Sequence, residues 1–270
     1  MYAIARPCTP LPRGLLSDAP WPLLVALGVL TAGAGVLAAT ESMPLASARA
    51  LGAGGAQGAL LATAVVWAAT PNAGRRPAAT MAALVVLAGA LAAALVPFGE
   101  LAYLAAPLWL WRARAWLPGL GLARAPIGLV AAGATFGVVL GVHLLVTASL
   151  TLGYGVRTPT IAELVPWFAY DVGANVLTTE AFFRGALFDR AQRRWPFAPA
   201  AALVTAGCLA RYLVDPLLPH SVEVTAGAIF YLTLLSAGNC WLYWRGGSIV
   251  PGAAASIVFF AAYRLLREVP

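Results

Sequence analysis

Charge is what this sequence has least of. Asp, Glu, Lys and Arg make up only 10% of its 270 residues, while hydrophobic residues make up 61%. A water-soluble domain carries about a quarter charged residues. So few ionic groups cannot cover a water-facing surface, which excludes a soluble globular protein and leaves the bilayer as solvent. Lysine is absent altogether, so the formal net charge of +7 rests on arginine alone. Histidine occurs only as His143 and His220, and neither has a helical ligand spacing such as H-E-x-x-H. Zinc proteolysis is therefore excluded, and no metal or other cofactor is expected. Cys8, Cys208 and Cys240 form neither a disulfide framework nor a zinc spacing. Cys208 and Cys240 lie in apolar runs and read as small packing residues. The arginine excess is no nucleic-acid signature, because arginine gathers in the cytoplasmic loops of membrane proteins; no nucleic-acid partner is expected.

Long apolar runs are what the sequence does have. They cover roughly 21–39, 56–70, 78–97, 98–111, 127–152, 165–188, 198–214, 225–243 and 248–263. The runs are continuous and rich in Ala and Leu, without the alternation of barrel strands, so they span as helices. The expected fold is all-α: a polytopic bundle of eight to nine transmembrane helices, with Gly and Ala permitting close helix contacts. The fourth run is short and reads as a tilted span, a re-entrant piece or a hairpin partner of the third. The first run is longer than a signal h-region and has no clear cleavage site, so it reads as a retained span.

With the N-terminus inside, the inner loops hold Arg6, Arg13, Arg75, Arg76, Arg112, Arg114, Arg124, Arg190, Arg193, Arg194 and Arg245. The outer segments hold Arg49, Arg157, Arg264 and Arg267. This asymmetry fits the positive-inside rule, although Arg264 and Arg267 sit awkwardly outside and keep a count of eight open. The expected division is a cytoplasmic segment over 1–20, transmembrane helices over 21–155 and a motif-bearing core over 156–266. Membrane lipids are the expected surroundings, in the bacterial cytoplasmic membrane.

Ionisable residues inside spans are costly and mark the interior of a bundle. They are Asp171, Glu180, Arg184, Arg211 and His143. Glu180 and Arg184 are four residues apart and share a helix face. Asp171 lies nine residues before Glu180, on the opposite face of an α-helix. Arg211 has no partner in its own span, so an ion pair with Glu180 or Asp171 is expected. His143 reads as a hydrogen-bonded packing residue. The charges alone leave structural glue and a functional site equally open. A rhomboid-type serine protease would have to use His220, in a Pro-flanked loop. An aspartyl intramembrane protease would find its first half in Tyr170-Asp171, but Asp215 is preceded by "YLV" and the second half is missing. A transporter of small solutes or protons would use Glu180, Arg184 and Arg211, without the repeated halves or broken helices of many transporters.

The stretch "TEAFFRG", Thr179 to Gly185, points elsewhere. It resembles the E-E-x-x-F-R-G motif of the CPBP family, the CAAX-processing and Abi-type glutamic intramembrane proteases. "YWRGGSIVPGAAASIVFF", Tyr243 to Phe260, resembles that family's last motif region. "ALVTAGCLARYLV", Ala202 to Val214, stands where the family has F-x-x-x-H. The resemblance covers about 160–265 and implies a CPBP-like core in the C-terminal half, acting on a membrane-bound peptide or protein. It carries Glu180 and Arg184 over as retained motif residues. In the family the two Glu and the F-x-x-x-H histidine activate a water, and the last-motif histidine with a residue four later stabilises the oxyanion.

Most of those positions are changed here. The first Glu is Thr179, the F-x-x-x-H histidine falls on Tyr212, the last-motif histidine on Ser256 and its partner on Phe260. Threonine cannot serve as a carboxylate base, and tyrosine, titrating near ~10, is a poor base at neutral pH. The favoured expectation is a CPBP endopeptidase homologue that is a pseudoprotease. The alternatives are an active protease rebuilt around Glu180, with Arg211 or Tyr212 and Ser256 as oxyanion donors, and the transporter.

Overall fold

The computed structural model describes residues 14–69, 75–213 and 221–267. Arg6, Arg13, Cys8, Asp215, His220 and most of the 1–20 segment lie outside them. Nine helices follow in order among the described residues: α1 Trp21–Ala39, α2 Leu45–Ala68, α3 Arg75–Leu95, α4 Ala105–Ala113, α5 Ile127–Thr151, α6 over 161–191, α7 Phe197–Leu213, α8 Val222–Gly246 and α9 Val250–Tyr263. A 3₁₀ segment, Gly99–Leu104, leads into α4. The only strands among the described residues are β1 Gly155–Val156 and β2 Leu266–Arg267, which pair antiparallel. The chain is an all-α membrane bundle.

Helices α1, α2, α3, α5 and α8 are each long and apolar enough to cross a membrane; α7 and α9 are shorter apolar helices. Val25, Val29 and Val36 of α1 are more than 60% exposed. In water such a face would be a liability, whereas in lipid it is solvated. The second apolar run proves longer than expected. Hydropathy starts it at 56, but α2 begins at Leu45, because Gly52, Gly54, Gly55 and Gly58 build contacts rather than a loop.

The described chain forms two compact units. One holds the chain up to Leu122 together with Ile161–Phe182; the other holds Ala123–Thr160 and the chain from Phe183 onward. In the first unit α2 and α3 pack antiparallel through small residues. A Cβ on Gly54 would lie 2.5 Å from that of Ala90, and Gly58 backs onto Ala83. Leu27, Ala62, Val66, Ala79 and Ala83 form its core. The chain then reverses at Phe98, which takes a left-handed conformation (φ 58°). The 3₁₀ segment folds back along α3, with Gly99 against Ala92 and the Tyr103 ring against Gly89. Gly119 finally meets Ala68 at the far end of α2. Of the three forms expected for the fourth run, the hairpin partner of α3 is the one seen: it returns across the unit as a 3₁₀ turn followed by α4.

In the second unit α5 and α9 run parallel in backbone contact. A Cβ on Gly133 would lie 2.1 Å from the Pro251 carbonyl, one on Gly137 2.3 Å from that of Ala255, and one on Gly141 2.7 Å from the Ala262 Cβ. Small residues every fourth position let membrane helices approach this closely. Both ends are tied. Ser248 Oγ donates to the Ala123 carbonyl at 2.9 Å, and Arg157 N–H donates to the Leu265 carbonyl at 2.9 Å beside the β1–β2 pair. Helix α8 lies antiparallel to α5, with Gly246 on Leu129 and Gly238 on the Phe136 ring. Gly247 (φ 62°) ends α8 with its N–H on the Tyr243 carbonyl at 2.7 Å, a left-handed cap that glycine adopts without strain. This pairing places Arg157, Arg264 and Arg267 at one end of the unit and Arg124 and Arg245 at the other. The awkward pair Arg264 and Arg267 therefore accompanies Arg157, as one crossing per helix requires.

His143 is hydrogen-bonded but lies on an exposed face of α5 rather than packed inside. Its Nδ1 lies 2.8 Å from the Tyr231 hydroxyl.

Candidate functional site

Helix α6 carries the first motif and is irregular just where the motif lies. It opens as Ile161–Tyr170, with Pro166 inside it, and takes wide π turns over Asp171–Asn175. It tightens over Val176–Thr179, widens again over Glu180–Phe188 and closes over Asp189–Ala191. π turns are rare and concentrate at functional sites. They hold more residues per turn than an α-helix, so the opposite-face spacing worked out for Asp171 and Glu180 on a 3.6-residue period does not apply along this run.

The polar residues of the run are buried, not lipid-facing. Exposure is 3% for Asp171, 3% for Thr179, 1% for Glu180 and 2% for Arg184. In the first unit, Asn175 Nδ2 donates to Asp171 Oδ1 at 3.2 Å. One residue earlier, the Tyr170 hydroxyl accepts from Gln57 Nε2 of α2 at 2.8 Å, and the Tyr170 ring meets Tyr103 edge-on with centroids 5.5 Å apart. Trp67 stacks on Phe182 at 5.7 Å. These contacts run in the same order along α2 and α6, so the two helices are parallel and the motif helix is fixed by side chains along its length.

In the second unit the three motif regions come together. Phe183 packs against Gly207 of α7, where a Cβ would lie 3.2 Å from its Cε1. Arg184 Nη1 lies 3.7 Å from Cys208 Sγ, the residue that the resemblance sets at the Phe of F-x-x-x-H. Tyr212, which the resemblance sets at the histidine position of that motif, packs on Phe260 of α9, with ring centroids 5.7 Å apart. Both rings lean on the core of Leu140, Tyr231, Leu232, Leu235, Leu242, Ala255 and Phe259. The Arg211 guanidinium lies over the ring of its neighbour Tyr212, 4.3 Å from the centroid, a cation–π contact that shields its charge. Ser256 is buried, and its Oγ accepts from Asn239 Nδ2 of α8 at 2.8 Å.

Two polar residues escaped the sequence reading. Gln57 and Asn239 are each 1% exposed and each joins a motif-bearing helix to its neighbour. Neither belongs to a motif. The rule that flagged the charges, a polar group in a membrane run, extends to amides and would have found both.

Chemically, the second unit presents an aromatic pair, one amide–hydroxyl pair and one buried guanidinium near a thiol. The described residues of the whole chain contain no cluster of three His, Cys, Asp or Glu able to hold a metal. The motif run carries two buried carboxylates near Arg184 in sequence, Glu180 four residues before it and Asp189 five residues after it. Residues 161–262 match a family described as Rce1-like, the type II CAAX prenyl endopeptidase Rce1-like family. No curated protein and no solved structure matches the chain.

Proposed function

We propose that this integral membrane protein, whose residues 161–262 are an Rce1-like domain of the CPBP family, holds a membrane-bound peptide and has given up cutting it. The observation that carries the reading is the contact of Tyr212 with Phe260. In the resemblance these positions belong to a water-activating histidine and an oxyanion donor. Here they are two aromatic rings in van der Waals contact. A positioned general base contributes about 10²–10⁴ in rate, and each oxyanion donor about 10²–10³. Replacing both, together with the first Glu by Thr179, removes most of the advantage over water. Glu180 and Arg184 then serve the fold as buried polar residues on the π turn of α6, with Arg184 against Cys208 of α7.

The family gives the ligand class by analogy, a prenylated peptide of the CAAX type embedded in the bilayer. An apolar prenyl chain suits a protein whose motif positions have turned aromatic. The N-terminus faces the cytoplasm of a bacterial inner membrane in this reading, where arginine gathers. A second reading, an active hydrolase rebuilt around Glu180, is favoured by one observation: Asn239 and Ser256 keep an amide and a hydroxyl buried together.

Binding is tested with a fluorescent farnesylated CAAX-type peptide and the purified full chain in nanodiscs. Saturable binding that unlabelled prenylated peptide displaces, and unprenylated peptide does not, is the expected result. Glu180→Gln should leave the affinity within about twofold, and Tyr212→Ala should weaken it about tenfold, the loss of one aromatic contact. Absence of saturable binding to the wild-type chain sinks the proposal.

A further inference from the structure

One end of the second unit gathers charge and indole rings from three connections. Ser248 Oγ bonds the Ala123 carbonyl, joining the α8–α9 turn to the segment before α5. The Trp244 ring lies 5.3 Å from Phe197, joining the end of α8 to the start of α7. Phe188, near the end of α6, meets both Phe197 at 5.9 Å and Tyr243 at 6.1 Å. These contacts bring Arg124, Arg190, Arg193, Arg194 and Arg245 to one end. The only carboxylate there among the described residues of this unit is Asp189, and Arg193 is bonded to it in an i,i+4 pair. Arg124, Arg194 and Arg245 are exposed. So are Trp195 (40%), Trp241 (46%) and Trp244 (46%), and the Arg245 guanidinium stands 5.8 Å from the Trp241 ring.

Exposed indoles at helix ends sit at the level of the lipid headgroups, where their apolar body and polar N–H are both satisfied. That fixes the depth of the arginines beside them: they are at the height of the phosphates. Guanidinium is planar and binds phosphate oxygens two at a time. An excess of five arginines over one carboxylate at this depth attracts anionic lipid, at about 1 kcal/mol per arginine in general, or about fivefold in affinity. The opposite end of the unit carries Arg157, Arg264 and Arg267 but no tryptophan among its described residues.

We propose that this end of the second unit is a binding surface for the phosphodiester headgroups of anionic phospholipids. Arg124, Arg194 and Arg245 make the charge contacts, and Trp195, Trp241 and Trp244 set the depth. The surface is independent of whether the motif region cuts, holds or ignores a peptide.

The indoles supply the readout. The full chain is reconstituted in bilayers in which either phosphatidylglycerol or phosphatidylcholine carries bromine on its acyl chains, and quenching of tryptophan fluorescence gives the relative affinity of the two lipids. The expected result is a preference for phosphatidylglycerol of about fivefold or more, falling to near one in R124Q/R194Q/R245Q. The triple lysine variant should keep most of the preference, which separates loss of charge from loss of fold. Equal quenching by the two lipids in the wild type, or an undiminished preference in the glutamine variant, would overturn the proposal. So would loss of the preference on adding millimolar glycerol 3-phosphate, because the surface would then be selecting a soluble phosphate.

Discussion

Replacing Gly137 by alanine adds one methyl group at the tightest kind of contact a helix pair can make. Its Cβ would stand 2.3 Å from the Ala255 carbonyl oxygen and 3.0 Å from that residue's Cα. Ordinary contact begins near 3.4 Å, so α5 and α9 must part by about 1 Å locally. The obstacle is backbone, not the flexible end of a side chain, and the pair is tied at both ends by the Ser248–Ala123 and Arg157–Leu265 bonds. Rotation alone therefore cannot relieve the clash. Overpacking of this kind costs about 1–3 kcal/mol, which lowers Tm by about 3–10 °C for a chain of this size. Gly128, on the same helix with nothing within 4 Å, is the control. Gly128→Ala should leave Tm within about 2 °C or raise it, since alanine is the better helix former. The assay is thermal unfolding of the detergent-solubilised protein followed by far-UV circular dichroism. If Gly137→Ala and Gly128→Ala behave alike, the parallel α5–α9 contact is wrong, and with it the placement of Ser256 and Phe260.

Two further substitutions probe the amides that join helices. Asn239→Ala removes the amide that donates to the buried Ser256 hydroxyl and should cost about 1–3 kcal/mol; Ser256→Ala in the same background should recover part of that loss, and no recovery would mean that the two groups are not coupled. Gln57→Leu and Tyr170→Phe should each destabilise by about 0.5–1.5 kcal/mol and be non-additive together, because one 2.8 Å bond joins them. Additive losses in the double variant would show that α2 and α6 are not joined there.

Hydropathy located the membrane segments because the solvent itself selects for apolar length. It missed the first eleven residues of α2, where the Gly-rich stretch before Gln57 lowers the mean hydropathy while making close helix contacts. It also left the fourth run undecided, because a 3₁₀ turn followed by a short helix has no periodic signature; Gly99 against Ala92 and Gly119 against Ala68 reveal the return path only in three dimensions. The first motif was legible as letters, Thr179 to Gly185. Its π turns were not, since a change in residues per turn reflects how neighbouring helices hold the backbone. The substituted motif positions could likewise be read one at a time. That Tyr212 would rest on Phe260 depends on α7 meeting α9, a tertiary fact outside any local pattern. Asn239 and Gln57 remained hidden for a simpler reason: a neutral amide in an apolar run carries no charge to draw notice.

The central claim is that the motif region holds a peptide without hydrolysing it. The direct measurement is mass spectrometry of a farnesylated CAAX-type peptide incubated overnight at equimolar ratio with the wild-type chain and with Glu180→Gln, both reconstituted in bilayers. The account predicts intact peptide in both, with any released C-terminal fragment at the level of the protein-free control. Release by the wild type that is lost in Glu180→Gln would contradict it, and would assign Glu180 as the base of a working site despite Tyr212, Ser256 and Phe260.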